Sequence, residues 1–351
     1  MAERLILHIG AMKSGTSFIQ NVLAANREAL AAQGYYFAGK NWRAQVLAVL
    51  DLTEHGADGQ EPLAEDGPWN RLVKEVDAIE GTAIISMEFL GTRARRKIKL
   101  IMDSFPHTRI DVILTVRDLA RTIPAMWQES VQNYAVDTWP GFVEEVRLGD
   151  REKSRAAHWF WKHQGIGNMA RRWSDMFGKD HFWLITVPPS GQPSSLLWDR
   201  FVQTVGIDAS DFDLSVRRNP SIGAASAFVL RALNERLKTE PLTKTAYQRT
   251  IKHGLAKRGL ATRDVKEPTL GLDEPWVHER GKQEIEKLRK LDLKVVGDLA
   301  DLTPQPVSGV GPDEITAEDQ LGAAVDGLEQ LIREQANPRR ATPAERRNPT
   351  S

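Results

Sequence analysis

The stretch Leu5-Ile-Leu-His-Ile-Gly10-Ala-Met-Lys13-Ser14-Gly15-Thr16-Ser17 decides how this chain is read. Leu5–Ile9 is a short, continuous apolar run rich in branched residues, as expected of a parallel strand buried on both faces. From Ser17 to Ala32 the apolar positions Phe18, Val22, Leu23 and Leu30 follow helical spacing, and Gly34 closes the segment as a C-terminal cap. Between strand and helix lie Gly10 and Gly15 with four residues separating them. Such a loop turns sharply, and its amides together with the helix amino end surround an oxyanion. Lys13 adds a point charge, and Thr16 and Ser17 add hydroxyl donors. The plain alternative is a strand-to-helix turn with serine and threonine caps. The packing of Lys, Ser, Thr and Ser between and after the glycines favours phosphate binding.

Outward from that loop, Ala83–Ser86 and Ile110–Val116 are further buried-strand candidates, and Phe182–Val187 is a fourth, stopped by Pro188 and Pro189. Helical patterns separate them: Arg93–Asp103, Thr122–Gln132, the tryptophan-rich segment His158–Phe177, and later Ala224–Leu237. Strands alternating with helices predict an α/β chain, a P-loop-like three-layer fold with a central parallel sheet flanked by helices. Residues 51–70 are acidic with scattered Gly and Pro and read as a surface loop. Near Leu302 the character changes. Pro304, Pro306, Gly309, Gly311 and Pro312 read as a linker, Glu318–Gln335 as an amphipathic helix and Ala336–Ser351 as a disordered tail. The expected division is a catalytic domain over 1–300 and an appendage over 301–351.

The loop departs from that of P-loop nucleoside triphosphatases, which place Lys after the second glycine; here Thr16 holds that place and the lysine stands at 13. This arrangement resembles the 5′-phosphosulfate loop of the PAPS-dependent sulfotransferases, Lys-Ser/Thr-Gly-Thr-Thr/Ser. The resemblance implies PAPS as sulfuryl donor and PAP as product. It puts the contacts to the 5′-phosphate on Ser14, Gly15, Thr16 and Ser17, and gives Lys13 the charge that builds on the bridging oxygen. The family's second mark is an apolar strand ending in Arg-Asp, here Val112-Ile-Leu-Thr-Val-Arg117-Asp118. It implies that Arg117 binds the 3′-phosphate, a task suited to a planar guanidinium. A serine that many members carry eight residues later is Ala125 here, with Arg121, Thr122 and Ser130 as possible substitutes. Arg217 and Arg218, ahead of a helical pattern, resemble the family's late basic element over the 3′-phosphate, or are a basic turn capping that helix. Trp42 suits either an adenine contact or the core.

Transfer to a hydroxyl needs a base. The family keeps it just past the strand between its two cofactor motifs, which in this chain is Glu88, flanked by apolar residues. A structural carboxylate paired with Arg93, Arg95 or Arg96 is the alternative reading, and His107 is the second candidate base. His8 reads as a buried, hydrogen-bonded histidine, and His158 and His163 as part of a helix walling the acceptor site. No His and carboxylate spacing makes a metal site, and none is expected.

The 351 residues carry 47 Lys and Arg against 47 Asp and Glu, and this balance argues against nucleic acid or an anionic membrane as partner. The absence of cysteine excludes disulfides, thiolate nucleophiles and cysteine-ligated metals. The apolar run at the amino terminus is too short for a signal peptide or a span, so a cytoplasmic enzyme with a small-molecule or glycan acceptor is expected. The main rival is a P-loop nucleotide or small-molecule kinase. Against it stand the displaced lysine and the absence of an acidic residue ending an apolar strand to hold Mg²⁺. A catalytically dead binding domain fits poorly with both Lys13 and Glu88 being present.

Overall fold

The computed structural model describes residues 1–56, 60–193, 195–216 and 221–336. In chain order its elements are β1 (Arg4–His8), α1 (Thr16–Ala25), α2 (Arg27–Ala31), β2 (Tyr35–Phe37), α3 (Trp42–Glu54), α4 (Pro68–Asp77) and β3 (Thr82–Ser86). There follow α5 (Arg95–Ser104), β4 (Arg109–Val116), α6 (Leu119–Gln132), α7 (Trp139–Leu148), α8 (Arg155–Gln164), α9 (Ile166–Phe177) and β5 (Phe182–Thr186). The remainder comprises α10 (Ser195–Val205), α11 (Ala224–Leu237), α12 (Lys244–Tyr247), α13 (Pro275–Arg289), β6 (Lys294–Val296) and α14 (Ala317–Ala336).

The described residues of Met1–Thr122, Gly149–Arg218 and Glu274–Gln305 form one compact unit. Its sheet has six parallel strands in the order β2-β3-β1-β4-β5-β6. Because side chains alternate along a strand, each apolar run feeds both faces. Leu5, Leu7, Ala83, Ile85, Val112 and Leu114 pack on one side with Val49, Trp69, Ile98 and Trp173 from α3, α4, α5 and α9. Ile6, Ile84, Ile113 and Ile185 pack on the other with Ile19, Val22, Trp198 and Phe201 from α1 and α10. This is the three-layer α/β fold that the sequence predicts.

The described residues of Ile123–Leu148, Asn219–Asp273 and Pro306–Ser351 form a second, helical unit. In it α14 packs against the π-helical segment Gln248–Gly259 through small residues; a methyl group on Gly327 would lie 2.6 Å from Leu255. The stretch read as a linker pairs instead, Val307 with Leu272 and Val310 with Leu270. The tail beyond Ala336 lies outside the described residues.

Three other expectations change. The predicted surface loop over 51–70 is entered by α3, which continues to Glu54, and is left by α4 from Pro68, a proline suited to a first helical turn. The predicted helix Ser17–Ala32 breaks at Asn26, where φ is −111°. Gly165 divides His158–Phe177 into α8 and α9, two helices rather than one.

Candidate active site

Because β3, β1 and β4 are neighbours and parallel, their carboxyl ends lie side by side. From β1 the chain first builds strands on the β3 side and then crosses over to β4. The edge between β1 and β4 is thus a topological switch point, where open α/β sheets bind ligands. The Gly10–Ser17 loop leaves β1 there, Glu88 follows β3, and Arg117 follows β4.

The loop holds three residues at positive φ: Gly10 (23°), Lys13 (63°) and Gly15 (81°). A lysine in that region is strained and persists only where the surroundings impose it. Gly15 caps α1 with no side-chain hydrogen bond, and its carbonyl takes the Phe18 amide, so among the described residues the Thr16 and Ser17 amides are left for another partner. A Cβ on Gly15 would meet Leu197 at 2.4 Å, and one on Gly10 would meet the Thr16 and Thr115 hydroxyls at 2.6 and 2.8 Å. Ser14 turns its hydroxyl inward, donating to the Ala11 carbonyl (2.6 Å) and lying 2.8 Å from Thr115 Oγ1. It braces the loop. Gln164 of α8 braces it from the other side through the Met12 carbonyl (2.7 Å). Thr16 Oγ1 is buried with no partner, an orphan that an oxyanion would satisfy. Ser17 is exposed on the first turn.

Beneath the loop a polar chain crosses three strands. His8 Nδ1 lies 2.7 Å from Ser86 Oγ, and Nε2 lies 3.1 Å from Thr115 Oγ1, the hydroxyl that meets Ser14. Burial holds the His8 imidazole down at about 3, so it is neutral in the folded chain. Once unfolded it protonates near pH 6.5. The unfolded state therefore takes up the extra proton, and the stability that His8 contributes is lost as pH falls from about 6.5 towards about 3. The local slope should approach about 1.4 kcal/mol per pH unit. Urea unfolding at pH 7 and pH 4.5 checks this: the wild type should lose more stability than His8→Gln, and parallel losses would refute it.

Glu88 opens a single 3₁₀ turn, Glu88–Leu90, beyond β3. Gln20 of α1 donates to both the Ser86 carbonyl (2.9 Å) and Glu88 Oε2 (3.2 Å), tying the carboxylate to the helix that the phosphate loop begins. Of the arginines that sequence offers as partners, Arg93 donates to Thr53 Oγ1 (2.7 Å) and Thr92 Oγ1 (2.8 Å), while Arg95 pairs with Asp175. His107 precedes β4 and so sits at the opposite edge of the sheet. That strand of eight residues separates it from Arg117 by roughly 26 Å.

Arg117 is half-buried, and its Nη1 lies 3.5 Å from the Lys13 carbonyl. Burial first, then the positive charge of Arg121, pull its guanidinium down to about 10, against the pull of Asp118. Arg121 is held by Asp118 and by the Pro188 carbonyl (2.9 Å). Among the described residues, Arg117 Nε and Arg121 Nη2 are both buried donors without partners. The other candidate substitutes at the Ala125 position turn away: Thr122 donates to the Asp118 carbonyl and Ser130 to that of Trp127. Trp42 is 45% exposed, which removes the core reading. Arg217 and Arg218 lie outside the described residues. Sequence reasoning passed over Gln20, Thr115 and Gln164; their only signal is a polar residue inside an otherwise apolar strand or helix face.

No protein-family model matches the chain, and no curated protein matches it. Among solved structures, the crystal structure of a sulfotransferase from Alicyclobacillus acidocaldarius is similar, with 16% identity and a TM-score of 0.41 over 71% of this chain and 95% of that one. A likeness at that level says nothing about activity, which has to be argued from residues. Among the described residues no helix is long and apolar enough to cross a membrane, and no cluster of three or more His, Asp or Glu is arranged to hold a metal ion.

Proposed function

We propose that this chain is a PAPS-dependent sulfotransferase, moving a sulfuryl group in line to a hydroxyl or amine of a small-molecule or glycan acceptor and releasing PAP. The observation that carries the reading is the meeting of three motifs on adjacent strand ends: a lysine-bearing glycine loop, a carboxylate and a half-buried arginine. The orphaned Thr16 hydroxyl and the orphaned donors of Arg117 and Arg121 fit a doubly phosphorylated nucleotide. PAPS, when bound, supplies a sulfuryl group on a phosphosulfate anhydride.

The chain's own residues then divide the work. Thr16, Ser17 and the helix amides beyond Gly15 hold the 5′-phosphate, with Ser14 as the brace beneath them. Lys13 neutralises the charge that develops on the bridging oxygen. Arg117 and Arg121 hold the 3′-phosphate, Arg121 standing in where Ala125 carries no hydroxyl, and Arg217 and Arg218 add to them by the same resemblance. Glu88, oriented by Gln20, takes the acceptor's proton.

Calorimetry with PAP and with ADP tests the reading. Tight PAP and weak ADP binding support it, and the reverse order supports a kinase. Arg117→Ala should weaken PAP by about 2–5 kcal/mol, the cost of losing a buried charge-assisted contact. Adenosine 5′-phosphosulfate, which lacks the 3′-phosphate, should weaken far less. Equal weakening of both nucleotides would assign Arg117 a structural role.

A further inference from the structure

The turn that begins at Glu88 ends in a second concentration of positive charge that sulfuryl transfer does not use. Arg93 donates only to the hydroxyls of Thr53 and Thr92. Arg172 of α9 donates Nη2 to the Gly91 carbonyl (2.9 Å), which Trp173 Nε1 also meets at 3.1 Å. The Nε of each arginine is buried and has no partner. Arg95, by contrast, is matched by Asp175. A half-buried guanidinium ordinarily faces a carboxylate; among the described residues neither Arg93 nor Arg172 has one.

The cations instead lie within electrostatic range of one another. Burial lowers the Arg172 guanidinium, and the charges of Arg95 and Arg93 lower it further. His163 of α8 is pushed down to about 4 by burial, with Lys162, Arg93 and His158 adding to the effect and a bond to the Trp159 carbonyl opposing it. Like charges gathered in a partly desolvated place cost free energy unless an anion joins them. The cluster is also close to the proposed chemistry. Gly91, which Arg172 holds, packs so tightly that a Cβ there would lie 3.0 Å from the Gly10 carbonyl of the phosphate loop.

We propose that Arg93 and Arg172 form an anion handle for the acceptor, a subsite that takes a carboxylate, sulfate ester or phosphate ester on the molecule whose hydroxyl or amine Glu88 deprotonates. The assignment to an acceptor rests on the sulfotransferase reading. Arg93 lies five residues past Glu88, so an acidic group held there positions the nucleophile over the base and restricts acceptors to acidic ones. His163, neutral near pH 7 with its Nδ1–H on the Trp159 carbonyl, adds no charge to the subsite.

The test is an NMR titration of the full chain, saturated with PAP, against glucose, glucuronate, glucose 6-sulfate and glucose 6-phosphate. At least one acidic sugar should bind about tenfold or more tightly than glucose. Arg93→Gln and Arg172→Gln should each remove most of that advantage, with PAP affinity measured by calorimetry changing by less than about twofold. The order of the three acidic sugars identifies which acid group the subsite takes. Arg172→Lys keeps the charge and a donor to Gly91, and should keep the preference even if Arg172→Gln melts early. Four sugars binding alike, or a preference that survives both glutamine substitutions, overturns the proposal. If PAP fails to bind, the sulfotransferase reading falls, and the same sugar titrations on the unloaded protein still decide whether the handle exists.

Discussion

Lys13→Ala is expected to abolish turnover while leaving the fold and most nucleotide affinity in place. The physical case starts with the backbone. Position 13 is held at φ 63°, and alanine meets the same left-handed strain as lysine, so the substitution neither relieves nor adds to it. The loop is braced from below by Ser14 and Thr115 and from the side by Gln164, none of which depends on the lysine side chain. Under the proposed reading, what disappears is a positive charge beside the oxygen that gains negative charge as the sulfuryl group leaves. Such a group acts mainly in the transition state, so the loss falls on kcat more than on binding. Removal of a preorganised donor of this kind costs about 3–4 kcal/mol, and a full charge costs more, so the rate should drop at least about 10²–10³-fold. PAP release from PAPS, followed with and without acceptor, measures this directly. A near-normal rate with a normal circular dichroism spectrum would remove Lys13 from the chemistry.

Much of this architecture was legible before any coordinates, for a definite physical reason. The four inner strands are continuous apolar runs because helices cover both faces of the sheet, and each lies within about a residue of its expected bounds. The edge strands β2 and β6 have only three residues each, mostly half-buried, and leave no such run. The break between α1 and α2 has a tertiary cause: Asn26 bonds both the amide and the carbonyl of Asp213, a partner 187 residues away that no local periodicity reveals. The same contrast holds at the candidate site. Lys13, Glu88 and Arg117 stand at strand ends, where sequence motifs point to them. Gln20 and Thr115 gain meaning only from register, which sets Thr115 beside Ser14 and His8, and Gln20 beside Glu88. The arginine pair at 93 and 172 joins residues 79 positions apart, and no spacing rule connects them.

Glu88→Gln should separate a base from a structural carboxylate. The amide has nearly the same shape, and its oxygen can still accept from Gln20 at the position Oε2 now holds, 3.2 Å from that side chain. Of the nearby arginines, Arg93 is bonded to Thr53 and Thr92 and Arg95 to Asp175, so these bonds do not depend on the charge of Glu88. If Glu88 serves the acceptor, as proposed, removing the charge should change the melting temperature little and leave PAP binding unaltered. An amide cannot take a proton, however, and general-base assistance contributes about 10²–10⁴-fold. Turnover with an acidic acceptor should fall by that factor while its KM stays near the wild-type value, since the acid group would still engage Arg93 and Arg172. The converse pattern, a large loss of stability with the rate preserved, would mean that Glu88 only anchors its turn. His107→Gln serves as the internal control. Its place before β4, at the far edge of the sheet, predicts full activity, and a loss there equal to that of Glu88→Gln would reassign the base.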